Sequence, residues 1–323
     1  MNLKVGIVGL PNVGKSTLFN ALLKKQQAYV ANFPFATIEP NVGVVPVPDE
    51  RLEKLSEIYN SPIVPATVEF VDIAGLIAGA HKGEGLGNKF LSHIREVDAI
   101  CHVVRVFKNT DIIKEGSVDP KSDFETVKTE LDLADLEMTE KHETKKNADV
   151  EALPLFSKKP ILVVLNVDES DLKSSLAIEE EYATKLGVEK NQVISICAKT
   201  ESELAELSAD EQKEYLSDLG VDKSGLERLI KRAFETLGLI TFLTAGEKEV
   251  RAWTINKGIS ALDAAGVIHT DFMKHFIKAD IVDYKDFIEV GGWKVARELG
   301  KVRSEGRGYI MQDGDVVEFK VGS

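Results

Sequence analysis

Two glycines, a lysine and a hydroxyl stand at fixed spacing near the start of this chain, in Gly9-Leu10-Pro11-Asn12-Val13-Gly14-Lys15-Ser16, with Thr17 next. The run fits G-x-x-x-x-G-K-[ST], a loop whose backbone N–H groups gather around the phosphates of a nucleotide. Each residue type has a reason. The glycines let the backbone approach an anion closely, Lys15 would reach the β- and γ-phosphates, and the Ser16 hydroxyl would take a place on Mg²⁺. The flanking elements suit the task. Leu3-Lys4-Val5-Gly6-Ile7-Val8 reads as a buried strand, and Thr17-Leu18-Phe19-Asn20-Ala21-Leu22-Leu23 as a helix with Leu18, Leu22 and Leu23 on one face. A helix N-terminus beside the loop adds partial positive charge where the phosphates would lie.

Further oxygen donors come in order along the chain. Residues 29–41 are apolar but broken by Pro34 and Pro40, so they read as a loop, leading into a strand at 42–47. Thr37 in that loop is placed to reach Mg²⁺ and a γ-phosphate. The strand starting at Pro65 ends in Asp72-Ile73-Ala74-Gly75. That D-x-x-G pattern sets a carboxylate near Mg²⁺ and the Gly75 N–H near the γ-phosphate. Residues 79–87 hold four glycines and His81, which reads as a loop ordered by the γ-phosphate. Asn88 reads as the N-cap of a helix to about Val97. Residues 99–107 form a buried strand in which His102 has no carboxylate neighbour in sequence and reads as a core histidine. A helix is expected from Asp123 to about Lys146, with an apolar stripe through Leu131, Leu133, Leu136 and Met138.

The base-reading position is unusual. The usual guanine signature is Asn-Lys-x-Asp, whose aspartate takes two hydrogen bonds from the guanine edge. Here the strand from Pro160 ends in Asn166-Val167-Asp168-Glu169. Val167 replaces the lysine and Glu169 the aspartate, which argues against guanine, since a changed carboxylate reach spoils a bidentate match. Asn166 could still touch the base. The strand Gln192-Val193-Ile194-Ser195-Ile196-Cys197-Ala198-Lys199 ends in small residues whose backbone, at Cys197 and Ala198, would flank it.

At 323 residues the chain is long enough for two domains. No apolar run reaches the roughly 18 residues that span a bilayer, and with the first strand starting so early no signal peptide is expected. Two cysteines in apolar runs, Cys101 and Cys197, suit a reducing cytoplasm. The net charge of −13 argues against broad nucleic-acid binding by the whole surface. From Ile240 onward, however, 12 Lys and Arg nearly balance 13 Asp and Glu. The first domain is expected over 1–239, closed by a helix from Ser224 to about Leu237, and the second over 240–323. The latter reads as a small α+β module: a strand at 249–255, a short helix at 291–299 and a hairpin around Asp313-Gly314. Its aromatics, Trp253, Phe272, Phe276, Phe287 and Tyr309, read as core. Lys294, Arg297, Lys301, Arg303 and Arg307 form a basic string that could meet RNA phosphates.

Taken together these runs resemble the Obg-like ATPases of the YchF type, within the translation-factor-related P-loop GTPase class. The matching stretches are 6–20, 32–48, 68–105, 166–169 and nearly all of 245–319, including Glu249-Val250-Arg251-Ala252-Trp253-Thr254-Ile255. The last stretch resembles a TGS module of ubiquitin-like β-grasp fold. The resemblance implies an α/β P-loop G domain with a helical insertion, about 123–158, followed by that module. It implies hydrolysis of ATP in preference to GTP, with nucleotide on residues 12–17, a base contact near Val167, and Mg²⁺ on Ser16 and Thr37. It also implies ribosome association, with the large subunit or the 70S-type particle, and contact of the TGS module with rRNA or tRNA. Two departures stand out. The insertion is several tens of residues shorter than the family pattern, at about 146–154, and Lys114 stands where family members commonly carry histidine.

Leu76 comes directly after the D-x-x-G glycine, where many switch GTPases carry a glutamine that orients water. A leucine cannot hold a water, so hydrolysis should be slow. Asn12 suggests a compensation, because related loops with asparagine here use its amide oxygen to hold K⁺; His81 is the alternative for positioning water. A slow Mg²⁺-dependent ATPase switch is therefore expected. An Obg-type GTPase and an ATP-gated binding module with incidental turnover are the other readings, and a small-molecule kinase is disfavoured by the D-x-x-G and switch-like loops.

Overall fold

The computed structural model describes residues 3–32, 41–73, 86–108, 119–143 and 153–322. In chain order these hold β1 (Lys4–Val8), α1 (Lys15–Asn32), β2 (Val42–Pro46), α2 (Glu50–Tyr59), β3 (Ile63–Val64), β4 (Thr67–Asp72), α3 (Leu86–Arg95) and β5 (Ala99–Arg105). Next come α4 (Pro120–Glu143), β6 (Ile161–Asn166), α5 (Ser175–Leu186), β7 (Val193–Ile196), α6 (Ala198–Leu204), α7 (Ala209–Asp218) and α8 (Gly225–Thr236). The rest comprises β8 (Leu239–Ala245), β9 (Val250–Asn256), α9 (Ala261–Ile268), α10 (Thr270–Lys274), β10 (Phe276–Asp283), α11 (Tyr284–Val290), α12 (Trp293–Glu298), β11 (Arg303–Glu305) and β12 (Asp315–Val321). Two compact units result: Met1–Val45 with Val68–Leu237, and Pro46–Thr67 with Gly238–Ser323.

The first unit is built on a sheet of order β2-β4-β1-β5-β6-β7, in which β1, β4, β5, β6 and β7 run parallel. A parallel sheet must be covered on both faces, and β5 is buried at all seven positions. One face packs Phe90, Ile94, Val127, Leu131 and Phe156; the other packs Phe124, Leu165, Val167, Leu172 and Val193. From β1 the chain runs to β2 and β4 on one side of it, and from β4 it crosses over to β5 on the other. Beside the C-terminal end of β1 lies the crevice where such sheets bind ligands. His102 is a core histidine, 3 % exposed and stacked on Phe124 with centroids 5.2 Å apart.

Several boundaries differ from expectation for local reasons. The helix expected to be capped by Asn88 is already helical at Leu86, so Asn88 lies inside it; the apolar face Phe90, Leu91 and Ile94 governs its course. α4 starts at Pro120 rather than Asp123. Asp119 Oδ1 accepts the Lys121 and Ser122 N–H groups at 3.1 and 3.2 Å, and proline suits the first helical position. Its Asp135 carboxylate accepts the Phe156 and Ser157 N–H groups, both at 2.8 Å, which ties the return segment back to the helix.

The second unit carries a mixed sheet of order β11-β10-β12-β8-β9-β3. The expected hairpin at Asp313-Gly314 is absent. Gly314, at φ 86°, instead turns the chain into β12, which pairs antiparallel with β10 and parallel with β8. The Asp315 carboxylate accepts the Gln312 N–H and the Tyr309 O–H, which draws the turn inward. Phe242, Phe276, Phe319 and Ile281 form the core, Trp253, Phe272 and Tyr309 pack on it, and Phe287 is fully buried.

The expected split at 239/240 needs one correction, because Pro46–Thr67 belongs to the second unit. Leu52 and Leu55 bury the apolar side of α2, and β3 pairs with β9 at Ile63↔Val250 and Val64↔Arg251. The Arg51 guanidinium donates to Asp49, Asp313 and Thr241 at 2.7–2.9 Å, and the Trp293 N–H donates to the Tyr59 hydroxyl at 3.1 Å. Except for Asp49, these partners lie far off in sequence, so no local pattern announces them. Both tryptophans of the protein, Trp253 and Trp293, sit in this unit. Arg51→Ala should therefore destabilise the transition seen by tryptophan fluorescence in urea by about 2 kcal/mol, the usual scale for losing charge-assisted bonds in a half-buried network. An unchanged midpoint would separate α2 from the second unit's folding.

Candidate functional site

The loop between β1 and α1 is shaped by its glycines. Gly9 has φ 153° and Gly14 φ 99°, and Asn12 sits at φ 61°, a region asparagine tolerates better than most residues. A Cβ on Gly9 would lie 2.4 Å from the Val103 carbonyl oxygen, so the loop can leave β1 against β5 only as glycine. Ser16 and Thr17 are exposed in the first turn of α1, while Val13 is buried beneath.

Lys15 bends back over the loop and donates to the Leu10 carbonyl at 2.7 Å. Burial lowers its pKa, and the facing Asp72 works the other way. Burial raises the Asp72 pKa, with Lys15 opposing. The register Ile7↔Asp72 brings this carboxylate to the strand ends beside the loop. Lys15 and Asp72 thus face each other beside the first turn of α1, which carries the exposed Ser16, residue types that suit a phosphate chain with a hard divalent ion. Ser16 and Asp72 supply oxygen donors of the kind Mg²⁺ prefers, which it commonly takes together with substrate phosphates.

Beside the loop opens a cavity of about 520 Å³, lined by Asn12, Gly14, Thr17, Phe107, Asn166, Val167, Asp168, Glu169, Cys197, Ala198 and Lys199. Its volume suits a purine and ribose. Phe107 forms one wall, with the Arg105 guanidinium 4.3 Å from its ring centroid. Asn12, Val13, Gly14, Lys15, Ser16, Thr17, Asp72, Asn166, Val167, Glu169, Cys197 and Ala198 are brought together in this region. Thr37, Gly75, Leu76, His81 and Lys114 lie outside the described residues.

The structure changes what some of them do. Asn166, 6 % exposed, donates from Nδ2 to the Val13 carbonyl at 2.9 Å and accepts the Ala198 N–H on Oδ1 at 3.0 Å. Its amide therefore joins the phosphate loop to the base loop, and the Ala198 N–H serves that joint rather than the base. Val167 lines the cavity, but its own N–H is donated to the Ile196 carbonyl and its side chain is 1 % exposed. Glu169 accepts the Thr200 hydroxyl at 2.9 Å and the Tyr215 hydroxyl at 3.0 Å, both on Oε2. The bond to Glu169 is the main cause that pushes the Tyr215 phenol up to about 12. Thr200, Tyr215, Phe107 and Lys199 escaped the sequence reading. One signal was present: Ser208-Ala209-Asp210-Glu211 is a capping box that starts α7, the helix carrying Tyr215.

Known proteins resemble this chain in sequence and fold. Residues 4–167 match a family model described as 50S ribosome-binding GTPase, and residues 239–322 match the model of the YchF GTPase C-terminal region, described as a protein of unknown function. The chain is 48 % identical to the ribosome-binding ATPase YchF of Bacillus subtilis and 47 % identical to that of Haemophilus influenzae, with 99 % of each chain covered in both cases. The chain belongs to the YchF family. The YchF GTPase of Schizosaccharomyces pombe superposes with a TM-score of 0.85 at 36 % identity, over 99 % of this chain and 98 % of that one. The B. subtilis alignment runs over 367 positions against 323 residues here, so at least 44 positions hold no residue of this chain. The shortened insertion is expected at about 146–154, a stretch mostly outside the described residues.

This geometry has two measurable consequences. A Cβ on Gly14 would fall 2.2 Å from Asn166 Nδ2, at a φ that L-residues rarely adopt. Gly14→Ala should weaken triphosphate-nucleotide binding by roughly tenfold or more in equilibrium titration, since about 2 kcal/mol of local strain opposes the bound loop. Secondly, burial holds the His102 pKa near 3 against an ordinary 6.5. On acidification the unfolded chain then binds the proton first. The contribution of neutral His102 to stability is whole above pH 6.5 and falls by about 1.4 kcal/mol per pH unit on acidification toward 3. His102→Gln should flatten that part of the stability–pH curve measured by urea titration.

Proposed function

We propose that this chain is a Mg²⁺-dependent ATPase that acts as a nucleotide switch on the ribosome and prefers ATP to GTP. The observation that carries the reading is one contiguous site in which the phosphate loop, Asp72 and the base cavity meet, with Val167 and Glu169 at the discriminating positions. The relatives named as ribosome-binding ATPases support it at nearly half identity.

In this reading the loop N–H groups and Lys15 hold the triphosphate, with the Lys15 ammonium leaving the Leu10 carbonyl for phosphate oxygens. Ser16 and Asp72, together with Thr37, would hold Mg²⁺. When bound, the ion neutralises charge developing on the transferred phosphoryl group. The Gly75 N–H serves the γ-phosphate. The base lies between Phe107, Asn166 and the Cys197-Ala198 turn. Leu76 supplies no group to orient water, so turnover on the free protein is slow; K⁺ on Asn12 is the proposed aid, with His81 as the other candidate.

The second unit is proposed as a TGS-like module that contacts the ribosome, including rRNA or tRNA. Within this unit Arg297 pairs with Glu318, Lys301 with Asp286, and Arg303 with Glu305 and Asp315. The exposed pairs among these, Arg297–Glu318 and Lys301–Asp286, contribute only about 0–1 kcal/mol, so RNA phosphates can replace those two carboxylates at small cost, whereas Asp315 is buried. A cytoplasmic place accords with such a partner and with two buried free cysteines. No helix among the described residues is long and apolar enough to cross a membrane.

Competition titration with ATP and GTP, followed by phosphate release in KCl and in NaCl at equal ionic strength, tests the reading. ATP should bind at least tenfold tighter, the scale of one mismatched polar group. Tighter GTP binding would return the chain to an Obg-type GTPase, and equal rates in the two salts would remove K⁺. Ribosome co-sedimentation equal with ATP, its non-hydrolysable analogue and no nucleotide would remove the switch.

A further inference from the structure

Nucleotide choice in this site depends on where the Glu169 carboxylate points, and two residues outside the four-residue base signature hold it. We propose that Thr200 and Tyr215 are specificity-determining positioning residues, which tether Glu169 so that its carboxylate cannot pair with a guanine edge. The inference rests on the ATP-preferring reading above and names what enforces it.

Glu169 is exposed at the C-terminal end of β6 and has a long side chain with three rotatable bonds. Left alone, it could swing to offer both oxygens to the base. Instead Oε2 receives two hydroxyl donors, Thr200 Oγ1 at 2.9 Å and the Tyr215 phenol at 3.0 Å. Thr200 is only 1 % exposed on α6, so its hydroxyl is fixed by packing. Tyr215 approaches from α7, with Glu203 as a second, longer acceptor at 3.4 Å. O–H donors on a carboxylate form bonds of the strong, charge-assisted kind.

The chemistry of the two purines explains the effect. Guanine presents two adjacent donors, N1–H and the 2-amino group, which a carboxylate accepts with both oxygens at once. Adenine presents a lone pair at N1 and a C–H at C2, so a carboxylate brought there is repelled. With Oε2 filled, Glu169 can make the guanine pair only by giving up both hydroxyls. The same tether keeps its charge away from adenine N1. Discrimination of this type is strong because it leaves a polar group unmatched.

The test compares dissociation constants for ATP and GTP in the full chain, by competition against a fluorescent nucleotide. Tyr215→Phe with Thr200→Val should lower the GTP-to-ATP ratio of dissociation constants about tenfold, the usual effect of freeing one charge-assisted contact. Each single change should do part of this, and Thr200→Ser, which keeps the hydroxyl, should restore the parent ratio. In a Glu169→Ala background the same pair of changes should leave the ratio unmoved. A merely structural role would weaken both nucleotides together. An unchanged ratio, or an equal shift without the Glu169 carboxylate, overturns the proposal. If the Thr200 variant fails to fold, Tyr215→Phe alone decides, since it removes a single oxygen from a partly exposed ring. A parent protein with no ATP preference would instead count against the reading of the site, a result distinct from a tether that does nothing.

Discussion

The Asn166 amide is the joint on which the nucleotide site depends. It has one donor end on the Val13 carbonyl and one acceptor end on the Ala198 N–H, and it is buried between them. Three segments far apart in sequence, the phosphate loop, the end of β6 and the start of α6, are thereby held in one frame. The joint works only because Gly14 has no side chain to occupy the space of the amide. The backbone around it continues the frame: the Asn166 carbonyl accepts the N–H groups of both Val106 and Phe107, which sets the cavity wall. The side chain that the sequence offers as a base contact also clasps the two loops that border the cavity.

Electrostatics in this frame are asymmetric in a useful way. At the phosphate end Lys15 and Asp72 stand partly buried, each offsetting the other's desolvation. At the base end the acidic group is exposed but tied down by hydroxyls. Incoming phosphate charge would compete for Lys15, whereas an incoming base meets a carboxylate already engaged. In the proposed reading, binding strength and base choice rest on different residues, so substitutions can change one without the other.

The second unit shows how a chain segment can leave the domain its position suggests. Pro46–Thr67 interrupts the first unit between β2 and β4, yet its Leu52, Leu55 and Arg51 serve the unit built beyond residue 238. Sequence texture shifts near Ile240, and the compact units divide at Leu237 and Gly238. The interruption is silent because an amphipathic ten-residue helix looks the same whichever core it joins. The Asp313-Gly314 turn misled for a related reason. The dipeptide favours a tight turn, but the parallel pairing of β12 with β8 just beyond it is a long-range choice.

The amino-acid sequence by itself determined the phosphate loop, the strands that end at Asp72 and Asn166, the unusual base signature with Val167 and Glu169, and membership of a two-unit α/β and α+β plan. These are local: glycine spacing, β-branched runs and strand-end polar residues carry their physics within a few positions. Only the tertiary structure decided that Asn166 braces two loops, that Glu169 is held by Thr200 and Tyr215, and that α2 belongs with the C-terminal sheet. Each of those is a hydrogen bond or packing contact between residues 31 to 262 positions apart. No spacing rule reaches that far, because the partner is selected by the folded sheet and not by the neighbouring chain.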